Sequence, residues 1–283
     1  MIQYYNVNGN LVAAAEASLK VSDLAILRGY GIFDYFQVRE GVPMFLDDYV
    51  ARFANSARLL QLELPISQEE LKARIRELIA ANGLPEAGIR LVLTGGYSPD
   101  GYAPAAPNLL IMEHELPPAT PQSYDQGARL LSHQFQREIP EAKTINYLTG
   151  IRLLAEMKKL GAIEVLYHDG KLIRETARGN FFLITEDDAL VTAHEKVLPG
   201  ITRKNVLQVA RGQFKVEERD VLLDELQNAK EVFITSTNKR VMPIVQIDDL
   251  IIGNGKPGAV TKKIGEALQM YAASYIEKYK VDI

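Results

Sequence analysis

The chain has 283 residues, 47% of them hydrophobic and 24% charged, with a formal net charge of −4. That length buries a large core, in two domains or one elaborate one, and that balance excludes a disordered chain. The acidic balance leaves no basic footprint for nucleic acid, no apolar run reaches a membrane span, and the absence of cysteine removes disulfides, thiol catalysis and thiolate metal sites. The expectation is a cytoplasmic protein, without a signal peptide, whose partners are neither nucleic acid nor membrane.

In chain order, the first 40 residues read as strands and turns: alternation over 2–7, a turn at Asn8-Gly9-Asn10, then an aromatic and β-branched run over 32–39. Apolar residues at Tyr49, Val50, Phe53, Ala57 and Leu60 predict a helix over 46–60. A second runs from Ser67, an N-cap with Glu70 three residues on, to about 82. Strands are predicted at 89–94 and 109–112, around the Gly/Pro-rich loop GGYSPDGYAPAAPN. Prolines 117, 118 and 121 make 116–122 a linker, which divides a small domain over 1–115 from a larger one over 123–283. The second domain reads as helices over 148–160, 202–210 and 259–279 with strands over 163–168, 180–185 and 231–235. Strands and helices do not alternate, so a parallel dinucleotide-binding sheet is a poor fit, and no GxGxxG follows a strand.

Several residues could carry chemistry. Lys143, in AKTINYL, could lose its proton through burial and act as an imine-forming nucleophile, or be a solvated lysine at a helix start. Glu175 precedes an apolar strand; carried inside, it needs a cationic partner such as a protonated pyridine nitrogen. Leu198-Pro199-Gly200-Ile201-Thr202 opens a helix whose free N–H groups suit a phosphate, and the strand ending at Thr235-Ser236-Thr237-Asn238 offers hydroxyls. Arg52 could complete a phosphate clamp. Arg28, in LRGYGIF, and Arg90, in IRLVL, could each grip a carboxylate, with structural ion pairing as the competing role.

Together these stretches resemble the class IV, fold-type IV pyridoxal-phosphate enzymes: branched-chain aminotransferases, D-amino acid transaminases and aminodeoxychorismate lyases. The likeness covers nearly the whole chain in order. RGYGIFDYFQVREG resembles the family's N-terminal motif, LDDYVARFANSARLL its phosphate-arginine helix, and KTINYL its lysine segment. ETARGNFF, LVT and VLPGITR resemble its long signature, and EVFITSTNKRVMPI its final phosphate loop.

The resemblance implies a mixed α/β (α+β) fold with a small N-terminal α/β domain and a larger C-terminal pseudo-barrel domain. It also implies a homodimer, and pyridoxal 5'-phosphate as cofactor. Lys143 would carry the cofactor and shuttle the proton, and Glu175 would pair with the pyridine nitrogen. Arg52, Ile201, Thr202, Ser236 and Thr237 would hold the phosphate, Tyr147 would touch the ring hydroxyl, and Leu198 would pack on the ring. The Arg-x-His pair that familiar D-amino acid transaminases place after the strand at 89–94 is replaced by Thr94-Gly95-Gly96-Tyr97. A branched-chain tyrosine is replaced by Arg28. Arg28 and Arg90, with Phe33 and Arg178, are therefore expected to face the substrate. The implied activity is a D-amino acid transaminase working with 2-oxoglutarate or pyruvate; the alternatives are a branched-chain-type L-transaminase and an aminodeoxychorismate lyase.

Overall fold

The computed structural model describes residues 2–116 and 121–280. Most of the expected linker 116–122 therefore lies outside the described residues. The chain forms two compact units. The first takes the described residues up to 116 together with Ala142–Asn146 and the last turns from Ala272; the second takes the remainder through Tyr271. The units are thus discontinuous in sequence, where a single boundary was expected, because two short distant segments pack on the first.

In the first unit the strands are β1 (Tyr4–Val7), β2 (Asn10–Ala13), β3 (Gly31–Arg39), β4 (Val42–Pro43), β5 (Glu86–Thr94) and β6 (Leu109–His114). They form an antiparallel sheet in the order β2-β1-β6-β5-β3-β4. The central pair β3–β5 runs in unbroken register from Gly31↔Thr94 to Arg39↔Glu86. Alternation sends Ile32, Phe36, Val38, Ile89, Leu91 and Leu93 to a fully buried face. Helices α2 (Leu46–Leu59) and α3 (Gln68–Asn82) lie against that sheet, α2 on β3 and α3 on β1 and β6. They bury Tyr49, Val50, Phe53, Leu71, Ile75 and Leu78. The opposite face carries half-buried Phe33, Tyr35 and Gln37, and exposed Arg90.

Residues 24–28, expected among strands and turns, form a short helix, α1 (Leu24–Arg28). The cause is local: the Asp23 side chain accepts from Ala25 N at its start, and Gly29 closes it in the left-handed conformation at φ 65. The other Asp23 oxygen accepts from Thr94 Oγ1 (2.8 Å) and Asn108 Nδ2 (2.7 Å), which fastens α1 to the end of β5. The lysine segment is extended rather than a helix start. Phe33 N donates to Lys143 O (2.9 Å) and Ile145 N to Gly31 O (3.1 Å), so 143–145 adds a strand to the free edge of β3.

The second unit opens with α4 (Pro121–Gln126), β7 (Ala128–Gln134), α5 (Leu148–Arg152) and α6 (Leu154–Leu160). Where one helix was expected over 148–160, two meet at Leu153, whose ψ of −3 breaks the helical run. The remaining elements are β8 (Ala162–His168), β9 (Leu172–Thr176), β10 (Gly179–Ile184), β11 (Leu190–Thr192), α7 (Ile201–Ala210), β12 (Val216–Glu218), β13 (Val221–Leu222), β14 (Glu231–Ser236), β15 (Arg240–Ile247), β16 (Leu250–Ile251) and α8 (Ala259–Tyr279). The pairings β10–β14, β14–β15, β15–β7, β7–β8, β8–β9 and β9–β10 return to their start, a closed six-stranded barrel. Closure removes every free edge from those six strands. Leu130, Leu166, Ile173, Phe181, Ile234 and Met242 belong to one buried apolar cluster. Phe182 and Phe233, stacked at 4.8 Å, belong to a second with residues of α7 and α8.

The barrel has an irregularity that matters for the site. Leu166 pairs with Thr176 but His168 with Ile173, so β9 carries one extra residue against β8 at Arg174–Glu175. Such a bulge re-aims a side chain. Among the described residues no helix is long and apolar enough to cross a membrane.

In the first unit, Glu113 is fully buried on β6; its Oε2 accepts from Asn82 Nδ2 (2.7 Å) and its Oε1 has no partner. Burial pushes its carboxyl above the ordinary range, against the opposing Asn82 hydrogen bond. A raised native pKa gives stability that is complete below the unfolded-state value and lost as pH rises through the native one. Glu113→Gln is therefore expected to raise the urea midpoint at pH 8 relative to the parent, with the gain shrinking as pH falls toward about 4. A gain independent of pH would show that the carboxyl's ionisation is not the cause.

Candidate active site

In the first unit the site is built on β3, α2 and the added strand. Lys143 Nζ stands 4.4 Å from the centroid of the Phe33 ring, and its backbone N–H donates to Ser56 Oγ (3.1 Å). Ser56 lies four residues after Arg52 on α2, hence on the same helix face. Arg52 is buried. Its Nε and Nη2 donate to the two oxygens of Asp34, at 2.9 and 2.6 Å, in a bidentate pair with a carboxylate that is itself fully buried. Its guanidinium also lies 5.1 Å from the Tyr49 ring. Asp34 is the acidic residue of RGYGIFD, and sequence reading did not single it out.

Arg90 faces the same aromatic cluster. Its guanidinium carbon is 5.9 Å from the Phe33 ring and 6.0 Å from the Tyr35 ring. One ring, Phe33, thus has the lysine nitrogen and the arginine as neighbours. Tyr35 leans over Gly88, where an added Cβ would fall 2.3 Å from the Tyr35 hydroxyl. Arg28 is not part of this cluster. It ends α1, exposed, with Nη1 donating to the carbonyl of Leu27 (2.9 Å).

In the second unit Glu175 is buried within the β9 bulge. Its Oε1 accepts from Arg137 Nε (2.8 Å) and Nη2 (2.6 Å), and its Oε2 from the backbone N–H of Leu198 (2.9 Å). Arg137 also donates to the carbonyl of Pro140. Arg137 was missed: in QREIPE nothing announces a partner 38 positions away. Asn180, opposite Glu175 in the β9–β10 register, donates to the carbonyl of Leu198 (2.9 Å). Two side chains from paired positions therefore clamp Leu198, one by its N–H and one by its carbonyl.

That clamp sets the start of α7. Gly200 is the N-cap, with no side chain of its own to cap the helix, and the first turn carries no acid. A Cβ at Gly200 would fall 2.0 Å from Asn180 Oδ1, so only glycine fits. Thr235, opposite Asn180 on β14, is buried with an unpartnered hydroxyl. Ser236 Oγ accepts from Lys239 N (3.1 Å) and holds the turn that contains Thr237. Tyr147 caps α5 and is half-buried. Tyr167 is pushed up to about 12 by burial, with Glu164 adding to the effect, so it stays a neutral phenol. Arg178, in the β9–β10 turn, donates through Nε to Glu164 (2.9 Å).

Asp34→Asn would leave the Arg52 guanidinium buried without its counter-charge. The expected loss is about 3 kcal/mol of unfolding free energy, read from a urea denaturation curve. An unchanged midpoint would mean the pair does not carry that load.

A sequence model described as amino-transferase class IV matches residues 31–247. The D-alanine aminotransferase of Bacillus licheniformis is 30% identical over 272 residues, 93% of this chain and 94% of that one. A putative branched-chain-amino-acid aminotransferase of Methanocaldococcus jannaschii is 28% identical, over 92% of this chain and 93% of its own. The branched-chain amino acid aminotransferase of Escherichia coli superposes with a TM-score of 0.84 at 26% identity, covering 94% of this chain and 92% of that one. A T.th. branched-chain amino acid aminotransferase, solved with pyridoxamine 5'-phosphate, superposes with a TM-score of 0.89 at 26% identity, covering 99% of this chain and 97% of its own. The chain therefore belongs to the class IV aminotransferases, and its cofactor is pyridoxal 5'-phosphate.

Proposed function

We propose that the chain is a D-amino acid transaminase that passes the amino group of a D-amino acid to a 2-oxo acid such as 2-oxoglutarate or pyruvate. The observation that carries this reading is the Phe33 ring with both Lys143 Nζ (4.4 Å) and the Arg90 guanidinium (5.9 Å) close to its centroid. A guanidinium in that place suits a substrate carboxylate close to the lysine nitrogen. The likeness to D-alanine aminotransferases supports the same reading.

The residues fit the cofactor. The start of α7, with glycine at its N-cap and no acid in its first turn, and the orphaned Thr235 hydroxyl suit a phosphate, and the buried Glu175 carboxylate suits a protonated ring nitrogen. Pyridoxal phosphate supplies the electron sink and the carrier of the amino group. Lys143 would hold it through its Nζ and would serve as the base that carries the substrate α-proton. Arg137 orients Glu175, whose carboxylate would accept from a ring N–H. In the first unit Arg52, oriented by Asp34, would offer its guanidinium to phosphate; in the second unit Ile201, Thr202, Ser236 and Thr237 would offer N–H and hydroxyl groups. Tyr147 would serve the ring hydroxyl and Leu198 would pack on the ring. Arg28 and Arg178 add positive charge for the substrate carboxylates.

A homodimer belongs to this reading. Val21, Ile26, Leu27 and Tyr102 in the first unit, and Leu148, Ile151 and Leu154 in the second, are exposed apolar side chains that a second copy would cover.

A branched-chain L-transaminase is the second reading, favoured by the likeness to the T.th. and Escherichia coli enzymes. Mixing the pyridoxal form with single amino acids and following its absorbance separates the two. Conversion is expected with D-alanine or D-glutamate; conversion by L-leucine or L-glutamate alone would sink the first reading. In the same assay Arg90→Ala is expected to raise the KM for the amino donor about tenfold or more, the worth of a charge-assisted hydrogen bond.

A further inference from the structure

The second unit contains a buried carboxylate to which the resemblance gives no role. Glu164, on β8, is 2% exposed, and its Oε2 accepts from both Arg178 Nε (2.9 Å) and Lys239 Nζ (3.1 Å). The two cations come from different turns, Arg178 from the β9–β10 turn and Lys239 from the β14–β15 turn. A buried carboxylate is costly unless it is paired, and here one negative charge holds two positive ones. The cluster therefore keeps a net positive charge, and its outward member is Arg178, whose side chain is 54% exposed. The terminal nitrogens of Arg178 make no hydrogen bond among the described residues, because its one grip is through Nε. Lys239 belongs to the turn that contains Thr237, and that turn is tied again where Tyr124 Oη donates to the Lys239 carbonyl (2.9 Å).

We propose that Glu164 is a positioning residue that fixes two things at once: the aim of Arg178, whose free fork is presented to a substrate carboxylate, and the fold of the Ser236–Lys239 turn that serves the cofactor phosphate. It works from the barrel side, and alternation places it on the face of β8 that Leu166 shares with the apolar cluster. A rigid strand thus sets two otherwise independent turns, so substrate affinity and cofactor affinity share one anchor. The first half rests on the reading of Arg178 as a substrate residue; the second half does not.

The test uses the holoenzyme, its steady-state constants, and the cofactor dissociation constant from titration of the apo-protein followed by absorbance. Arg178→Ala is expected to raise the KM for the carboxylate substrate about tenfold with cofactor affinity unchanged. Lys239→Ala is expected to weaken the cofactor several-fold and leave KM unchanged. Glu164→Gln is expected to do both, with kcat moved less than KM, and to add nothing to KM in the Arg178→Ala background. A folded Glu164→Gln with both constants unchanged overturns the proposal, as does an effect on KM that adds fully to that of Arg178→Ala. If Arg178→Ala itself leaves KM unchanged, the substrate half falls, and Lys239→Ala with Glu164→Gln still decides the cofactor half. Should Glu164→Gln fail to fold, Glu164→Asp, which keeps the charge but withdraws it from both cations, must give the same split; unchanged constants there overturn the proposal.

Discussion

Glu175 is a carboxylate taken out of water, and the second unit is arranged around making that tolerable. An unpaired buried carboxylate would shift its pKa and neutralise rather than stay charged. Arg137 and the Leu198 N–H together hold the charge in place. The arrangement reaches further than the ion pair. Because the Leu198 N–H is used by Glu175 and its carbonyl by Asn180, the residue before Pro199-Gly200 has one orientation, and the start of α7 follows from it. An ionic contact on one strand thereby determines where a helix begins.

The first unit solves a similar problem with a different pair. Asp34 and Arg52 are each buried, and neither would be stable alone. Their bidentate geometry joins β3 to α2, and Ser56, a turn further along α2, receives the Lys143 N–H. The lysine is therefore positioned by backbone and helix rather than by a side-chain partner alone. That leaves its ammonium end beside the Phe33 ring.

What could be read from the sequence follows a physical divide. Lys143, Glu175, Arg52 and the Leu198–Thr202 stretch stand in contiguous motifs whose residue types declare their chemistry. Their partners do not. Asp34, Asn180 and Glu164 acquire meaning through strand register and Arg137 through the path of the loop after β7, and neither is visible in a single chain. Glu175 reads as preceding a strand because the bulge in β9 interrupts the alternation that would identify one there. Helix α1 escapes a periodicity search because five residues are too few to show a period, although Asp23 and Gly29 are its readable limits. The barrel was expected from the family resemblance and not from any one segment, since closure depends on the β9–β10 and β15–β7 pairings. The placement of the arginines is harder still to read: Arg90 lies beside the aromatic cluster while Arg28 stands exposed on its own helix.

The strand that carries Lys143 has a consequence for how the molecule is made. Gly31 O and Phe33 N on β3 find partners in residues 143–145, well beyond the end of the sheet's own sequence. Near the C-terminus, Tyr275 packs on Phe45, the residue that precedes α2, with ring centroids 4.4 Å apart. A nascent chain released only as far as β6 would expose an unpaired strand edge and an uncovered aromatic. The N-terminal unit is thus not a self-sufficient folding piece: it waits for the middle of the chain to seal its edge and for the end of the chain to cover it. Lys143 is part of that seal, so it reaches its place in the same event that completes the sheet.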